Sequence, residues 1–69
     1  KEYRPAFYLA EALAESGQTT KSEAAYRAAL AIDGGAADAQ IGLGRVLVRQ
    51  GKLAEAEPLY RQAAEKPDY

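Results

Sequence analysis

The fold is decided by residues 49–67, which read RQGKLAEAEPLYRQAAEKP. In this stretch Tyr60 and Arg61 lie 34 residues after Tyr26 and Arg27, and most of the chain repeats at the same spacing. A period of about 20–50 residues is typical of stacked copies of one supersecondary unit, which expose a long surface for binding. The other matched positions are Leu9 with Leu43, Leu13 with Leu47, Gly17 with Gly51, Glu23 with Glu57, and Ala29 with Ala63.

Apolar residues recur at helical spacing in four blocks, and short breakers separate these blocks. No segment alternates with period two for long enough to predict a strand. We therefore predict an all-α fold made of two tandem helix-turn-helix hairpins. The predicted helices cover about residues 3–15, 20–32, 36–50, and 53 or 54 to 65.

The predicted helix ends carry their own signals. Gly17 and Gly51 should end the first and third helices, because glycine readily adopts the left-handed conformation of a helix stop. Thr20 and Glu23 have the spacing of a capping box, with Thr20 as the N-cap of the second helix.

A proline opposes the prediction of the fourth helix. Pro58 would cost about 3 kcal/mol in a helix interior, since it lacks an N–H and clashes with the preceding turn. That cost shrinks if the helix begins at residue 54 or 55, which leaves the proline near the first turn.

Two glycines oppose the prediction of the third helix. Gly42 and Gly44 each cost roughly 1 kcal/mol relative to alanine in a helix. Gly44 aligns with Ala10, and two small residues at one repeated site indicate that a neighbouring helix approaches closely there. Gly42 aligns with Tyr8, and the sequence gives no reason for it.

Composition limits what this chain can do. A chain of 69 residues buries only about 60% of its surface, and without Cys or His it has neither a disulfide nor a Cys/His zinc site. The net charge of −1 predicts no nucleic-acid partner, and no apolar run approaches the ~20 residues needed for membrane insertion. The chain begins at Lys1 rather than Met, so we expect a fragment of a larger protein. Its compartment stays open, cytoplasmic or periplasmic if the source is bacterial.

The matched positions together resemble the tetratricopeptide repeat, a 34-residue helix-turn-helix unit with small residues at fixed sites and a tyrosine in its second helix. The resemblance implies one module over 1–69, with repeats at 3–36 and 37–69 that form a short right-handed α-solenoid. Ala6 and Gln40 depart from the family's large apolar residue in the first helix, and Phe7 and Ile41 follow them. The first copy carries Leu9, Ala10, Leu13, Gly17, Ser22, Tyr26 and Ala29, and the second carries Leu43, Gly44, Leu47, Gly51, Ala56, Tyr60 and Ala63.

The resemblance also implies a binding surface, because the first helices of successive repeats line a concave groove for a peptide or partner helix. Glu11 aligns with Arg45, and Glu15 with Arg49, which makes the predicted groove mixed in charge. An alternative interpretation is that these residues form surface ion pairs between the repeats, worth about 0–1 kcal/mol each. The predicted groove residues are Arg4, Phe7, Glu11, Ala14, Glu15, Asp38, Ile41, Arg45, Val48 and Arg49.

Some functions are disfavoured by the residues present. Family members that clamp a terminal carboxylate use lysine and asparagine at sites that hold Phe7, Glu11 and Gly42 here. Without His or Cys, the commonest general base and the thiol nucleophile are missing. We therefore predict no enzyme activity, no cofactor and no metal.

The ends of the stack are predicted to be apolar. Tyr26 and Tyr60 are expected in the core because of their repeated placement. Aromatic residues at one end and apolar residues at the other should form open patches, which favours self-association. These patches comprise Tyr3, Phe7 and Tyr8 at the first end, and Leu59, Ala63 and Ala64 at the second.

Two functions stay open. The first is a protein-interaction scaffold that binds a peptide or partner helix on its concave face. Its alanine-rich composition is associated with bacterial assembly and secretion complexes. The second is an accessory arm that positions a larger enzyme or regulator, or holds an oligomer together.

Overall fold

The computed structural model describes residues 2–65, and these residues contain four α-helices and no strand. The first pair of helices packs as one hairpin, the second pair as another, and the two hairpins meet between the second and third helices. The predicted all-α fold of tandem hairpins is confirmed. Residues 66–69 of the second predicted repeat lie outside the described part of the chain. The helices are α1 (Tyr3–Glu15), α2 (Thr19–Ile32), α3 (Ala37–Arg49) and α4 (Leu53–Glu65).

The two hairpins turn in the same way. Gly17 has a φ of 82° and Gly51 a φ of 79°, so both adopt the left-handed conformation that favours glycine. The amide of Gln18 donates to the Leu13 carbonyl at 2.9 Å, and this bond spans six residues. Equivalent bonds close the second turn. This is the Schellman motif, and it confirms that the two glycines end α1 and α3.

The predicted capping box at the start of α2 is wrong. The helix begins at Thr19, directly after the turn, and Gln18 at its N-cap makes no side-chain capping bond. Thr20 therefore lies inside the first turn instead of at the N-cap. The Glu23 carboxylate accepts hydrogen bonds from the Arg27 guanidinium, at 3.0 Å from Nε and 2.9 Å from Nη2.

The prediction that α4 begins late enough to place Pro58 near its first turn is also wrong. The helix α4 begins at Leu53, and the Glu55 amide already donates to the Lys52 carbonyl at 3.2 Å. Pro58 is therefore an interior residue that cannot donate to the carbonyl of Ala54. Because Ala54 is exposed, water can reach that side of the helix.

Small residues let the helices of the first hairpin approach closely. Ala10 and Ala29 are fully buried, as the nested hairpins predict. The Ser22 hydroxyl, also fully buried, donates to the Ala10 carbonyl at 2.9 Å and ties α2 to α1. The largest fully buried apolar side chains are Leu43, Val46 and Leu47, which place the centre of the core on α3.

The two repeated tyrosines have different surroundings. Tyr26 is 5% exposed, and its ring lies against α3 at Gly42, where an added Cβ would collide with Cε1. This contact gives Gly42 the reason that the sequence did not. The Tyr60 ring lies over Gly44, where a Cβ would be 3.0 Å from Cζ. Tyr60 is nevertheless 37% exposed, so its prediction as a core residue is wrong.

A polar residue occupies a core position at the start of α3. Gln40 is buried, and its Nε2 donates to the Gly34 carbonyl at 3.0 Å, which holds the turn between the hairpins against α3. Phe7 follows Ala6, and Ile41 follows Gln40, at the two sites that lack the family's large apolar residue. Phe7 packs against the core, whereas Ile41 is 39% exposed. The following residue therefore replaces the large apolar residue in the first repeat only.

Candidate functional site

Nine of the ten predicted groove residues line three cavities, and Ile41 lines none of the three. The central cavity, which we call the α1–α3 groove, has a volume of about 120 Å³. It collects five of the predicted residues, namely Glu11, Ala14, Glu15, Arg45 and Arg49, and its floor is formed by Tyr26, Gly42 and Val46.

The α1–α3 groove has one acidic and one basic edge. Glu11 and Glu15 lie one turn apart on α1, Arg45 and Arg49 lie one turn apart on α3, and all four are exposed. Within the described range 2–65, no ion pair joins these four residues. Arg49 instead donates from Nη1 to the Ala14 carbonyl at 3.1 Å, near the C-terminal end of α1.

The floor of the groove carries a phenol. Burial raises the pKa of Tyr26, the charges of Glu11 and Glu15 raise it further, and those of Arg45 and Arg49 lower it. The phenol is therefore protonated at neutral pH. Among the hydrogen bonds of residues 2–65, none involves this hydroxyl, which leaves it available as a donor.

The second cavity, of about 360 Å³, lies at the N-terminal end of α1 and contains Arg4, Phe7 and Asp38 from the predicted set. Tyr3 donates its hydroxyl to Asp38 Oδ1, which also accepts the Ala39 amide at 2.9 Å. Burial, followed by the bond to Asp38, raises the pKa of Tyr3. Asp38 thus positions α1 against α3.

The predicted aromatic patch at this end is mostly wrong. The Tyr3 and Phe7 rings stack with centroids 5.8 Å apart, and both are half-buried. The Phe7 ring also meets the Tyr26 ring edge-on at 6.0 Å, which links it to the core. Only Tyr8 is exposed as predicted.

The third cavity, of about 370 Å³, lies along α4. Val48, a predicted groove residue, lines this cavity and not the α1–α3 groove. Its walls include Leu53, which is 64% exposed, and Tyr60. We call this surface the open side of α4. It corrects the predicted apolar edge, because Leu59 and Ala63 are half-buried and only Ala64 is exposed.

Sequence analysis missed Tyr26 and Gly42 as the floor of the α1–α3 groove. The sequence did contain a signal for this contact, because Gly42 is an unexplained glycine in the helix that follows the repeated Tyr26. Within residues 2–65, no cluster of three or more His, Cys, Asp or Glu could hold a metal ion. No helix there has the length and apolarity needed to cross a membrane.

A family model described as tetratricopeptide repeat matches residues 7–69 of this chain. No curated protein and no solved structure matches the chain.

Proposed function

Because the chain belongs to the tetratricopeptide repeat family, we propose that it binds a peptide or partner helix in the α1–α3 groove. Proteins of this family are generally protein–protein interaction modules and are typically non-catalytic. The observation that carries the proposal is the set of four exposed charges that line one groove without pairing with each other. Glu11, Glu15 and Arg45 can therefore meet a partner directly, and Arg49 keeps further N–H donors besides the one bound to Ala14.

The groove combines the two components of a binding surface. Its exposed carboxylates and guanidiniums can select a partner of complementary charge and accelerate the encounter. Its floor contains Tyr26, and tyrosine is enriched at interfaces because its ring is apolar and its hydroxyl forms hydrogen bonds. Each exposed ion pair is worth only about 0–1 kcal/mol, so affinity requires several of them together with the floor.

The test uses charge reversal on the basic edge. Partners are captured with the full-length protein from its native cells, and the affinity of a purified partner is compared for wild type and Arg45→Glu/Arg49→Glu. We expect binding to weaken about tenfold or more, which is ~1.4 kcal/mol, with the difference shrinking as salt rises. Unchanged affinity would refute the proposed site.

A matched control keeps the net charge change and moves it away from the groove. Lys21→Glu/Arg61→Glu alters two exposed residues on α2 and α4 that do not line the α1–α3 groove. This variant should retain affinity within about twofold, because neither residue lines the groove and interactions between exposed charges weaken over a Debye length of ~10 Å. We also propose a bacterial assembly or secretion complex as the setting, from the alanine-rich composition.

The open side of α4 favours a second candidate function, an accessory arm that positions a larger enzyme or regulator or holds an oligomer. Leu53 and Tyr60 expose apolar surface next to Val48, and such a surface is typical of an interface. Leu53→Glu should lower self-association in sedimentation experiments on the full-length protein, whereas Arg45→Glu should not. Equal sedimentation of all three proteins would reject this role for α4.

A further inference from the structure

The edges of the α1–α3 groove have a spacing that constrains what lies between them. Glu11 and Glu15 are four residues apart on α1, as are Arg45 and Arg49 on α3, so each edge carries like charges about 6 Å apart along its helix axis. In an extended peptide, side chains two residues apart point the same way and lie about 6.6–6.8 Å apart. The two spacings agree to within about 1 Å.

We propose that the groove selects an extended peptide in which basic and acidic side chains alternate. This inference rests on the proposed function and gives it a partner chemistry. Lysine or arginine at positions i and i+2 of the peptide faces Glu11 and Glu15. Aspartate or glutamate at positions i+1 and i+3 faces Arg45 and Arg49. One peptide conformation thus satisfies both edges.

The narrow separation of the two edges favours an extended chain over a helix. The Arg49 side chain reaches from α3 to the Ala14 carbonyl of α1 at 3.1 Å, so a helix of about 10–12 Å diameter would rest above the edges and not between them. An extended backbone presents its side chains alternately to left and right. It also has free N–H and C=O groups, which the Tyr26 hydroxyl on the floor can bind.

Peptides with other charge patterns fit less well. A uniformly basic peptide meets attraction at the α1 edge and repulsion at the α3 edge, and a uniformly acidic peptide meets the reverse. A peptide with separate basic and acidic blocks places half of its side chains beside a like charge. Arg49 can serve the peptide while bound to Ala14, because a guanidinium has five N–H donors.

The first experiment compares two capped octapeptides of identical composition with the full-length protein. One alternates Lys and Glu, and the other places four Lys before four Glu. By NMR titration at low salt, the alternating peptide should bind about tenfold tighter, since it makes two more ion pairs and avoids two like-charge contacts, each worth ~0–1 kcal/mol. Equal affinities would overturn the inference.

The second experiment moves the charges of the groove itself. Glu11→Lys/Glu15→Lys makes both edges basic and should abolish the preference for alternation, in favour of an octapeptide of Glu. Adding Arg45→Glu/Arg49→Glu restores two opposite edges. That fourfold variant should regain the preference, because the alternating peptide can shift by one residue. A fourfold variant with native helical circular dichroism but no regained preference would overturn the inference.

The outcomes separate this inference from the proposed function. If Arg45→Glu/Arg49→Glu weakens the captured partner while the two octapeptides bind wild type equally, alternation is wrong and the groove stands as a binding site. If neither the partner nor the octapeptides respond, both proposals fail. The octapeptide comparison uses wild-type protein, so it decides the inference even if a variant does not fold.

Discussion

Tyr26 and Tyr60 are the same residue in successive repeats, yet one is 5% exposed and the other 37%. Each ring packs across its own hairpin, Tyr60 against Gly44, for example. The difference comes from the next helix. Tyr26 is covered by Gly42 of α3, whereas the ring of Tyr60 forms part of the open side of α4. Burial at a repeated position therefore depends on the neighbouring unit as much as on the residue itself.

The largest expected difference is between the two tyrosines themselves. Tyr26→Ala should reduce the free energy of unfolding by about 3–5 kcal/mol, the usual cost of removing a buried aromatic ring. Tyr60→Ala should cost only about 1–2 kcal/mol, because part of its ring already contacts water. Urea denaturation of both variants measures the difference. Equal losses would show that α4 is covered in solution.

The glycines beneath the rings give the next largest effect. Gly42→Ala should destabilise the protein by about 1–2 kcal/mol. Alanine gains ~1 kcal/mol in helix propensity, but the strain of its methyl group against the buried Tyr26 ring costs more than that. Gly44→Ala is the matched control. The partly exposed Tyr60 ring can move by a few tenths of an ångström, so this variant should be neutral or stabilised by up to about 1 kcal/mol. Thermal denaturation of both decides the sign.

A smaller effect is expected where the repeats differ by one hydroxyl. Ser22 donates to the Ala10 carbonyl, and the equivalent residue in the second repeat is Ala56, which is also buried. Ser22→Ala should cost about 1 kcal/mol, the net value of one hydrogen bond. Ala56→Ser should be near neutral if the new hydroxyl reaches the Gly44 carbonyl. A loss of about 1–3 kcal/mol would instead indicate a buried hydroxyl without a partner.

The smallest effect concerns pH. The hydrogen bonds from Arg27, followed by the influence of the nearby Gln50 side chain, hold the pKa of Glu23 below its usual value of 4.5. A lowered carboxylate pKa stabilises the fold above the unfolded value, and that contribution is lost as pH falls through the folded value. Glu23→Gln should therefore cost about 0.5–1 kcal/mol at neutral pH and less below pH 4.5. A cost that stays constant down to about pH 3 would contradict this account.

The control for that pH dependence is the equivalent pair in the second repeat. Glu57 lies 3.4 Å from Arg61, and both side chains are more than half exposed. Glu57→Gln should change the free energy of unfolding by no more than about 0.5 kcal/mol at any pH. Denaturant titrations of both variants over the acidic range test the contrast between the repeats.

The period of the sequence was sufficient to predict the helices and their stops. Gly17 and Gly51 act through local backbone geometry, so their roles can be read from their positions. Thr20 could not be assigned correctly, because Gln18 completes the preceding turn and brings the helix start forward. Gly42 acts through a ring on another helix, a contact that no local pattern reports.

The candidate site was predictable to the extent that it follows the register of the repeats. Glu11 and Arg45 share a register position, and the structure places both in one groove. Asp38 and Val48 share a helix with Arg45 but face other neighbours, namely Tyr3 and the open side of α4. Those partners depend on how the two hairpins are rotated relative to each other, and periodicity carries no information about that rotation.

The contact between Gly42 and Tyr26 also determines how this chain could be lengthened by design. A duplicate of the second hairpin, appended after α4, would bring a glycine over Tyr60 and rebuild the same junction. A duplicate of the first hairpin would bring Tyr8 to that place, where two bulky rings would collide. The units are thus not interchangeable building blocks, and only one of them can serve as the monomer of a longer array.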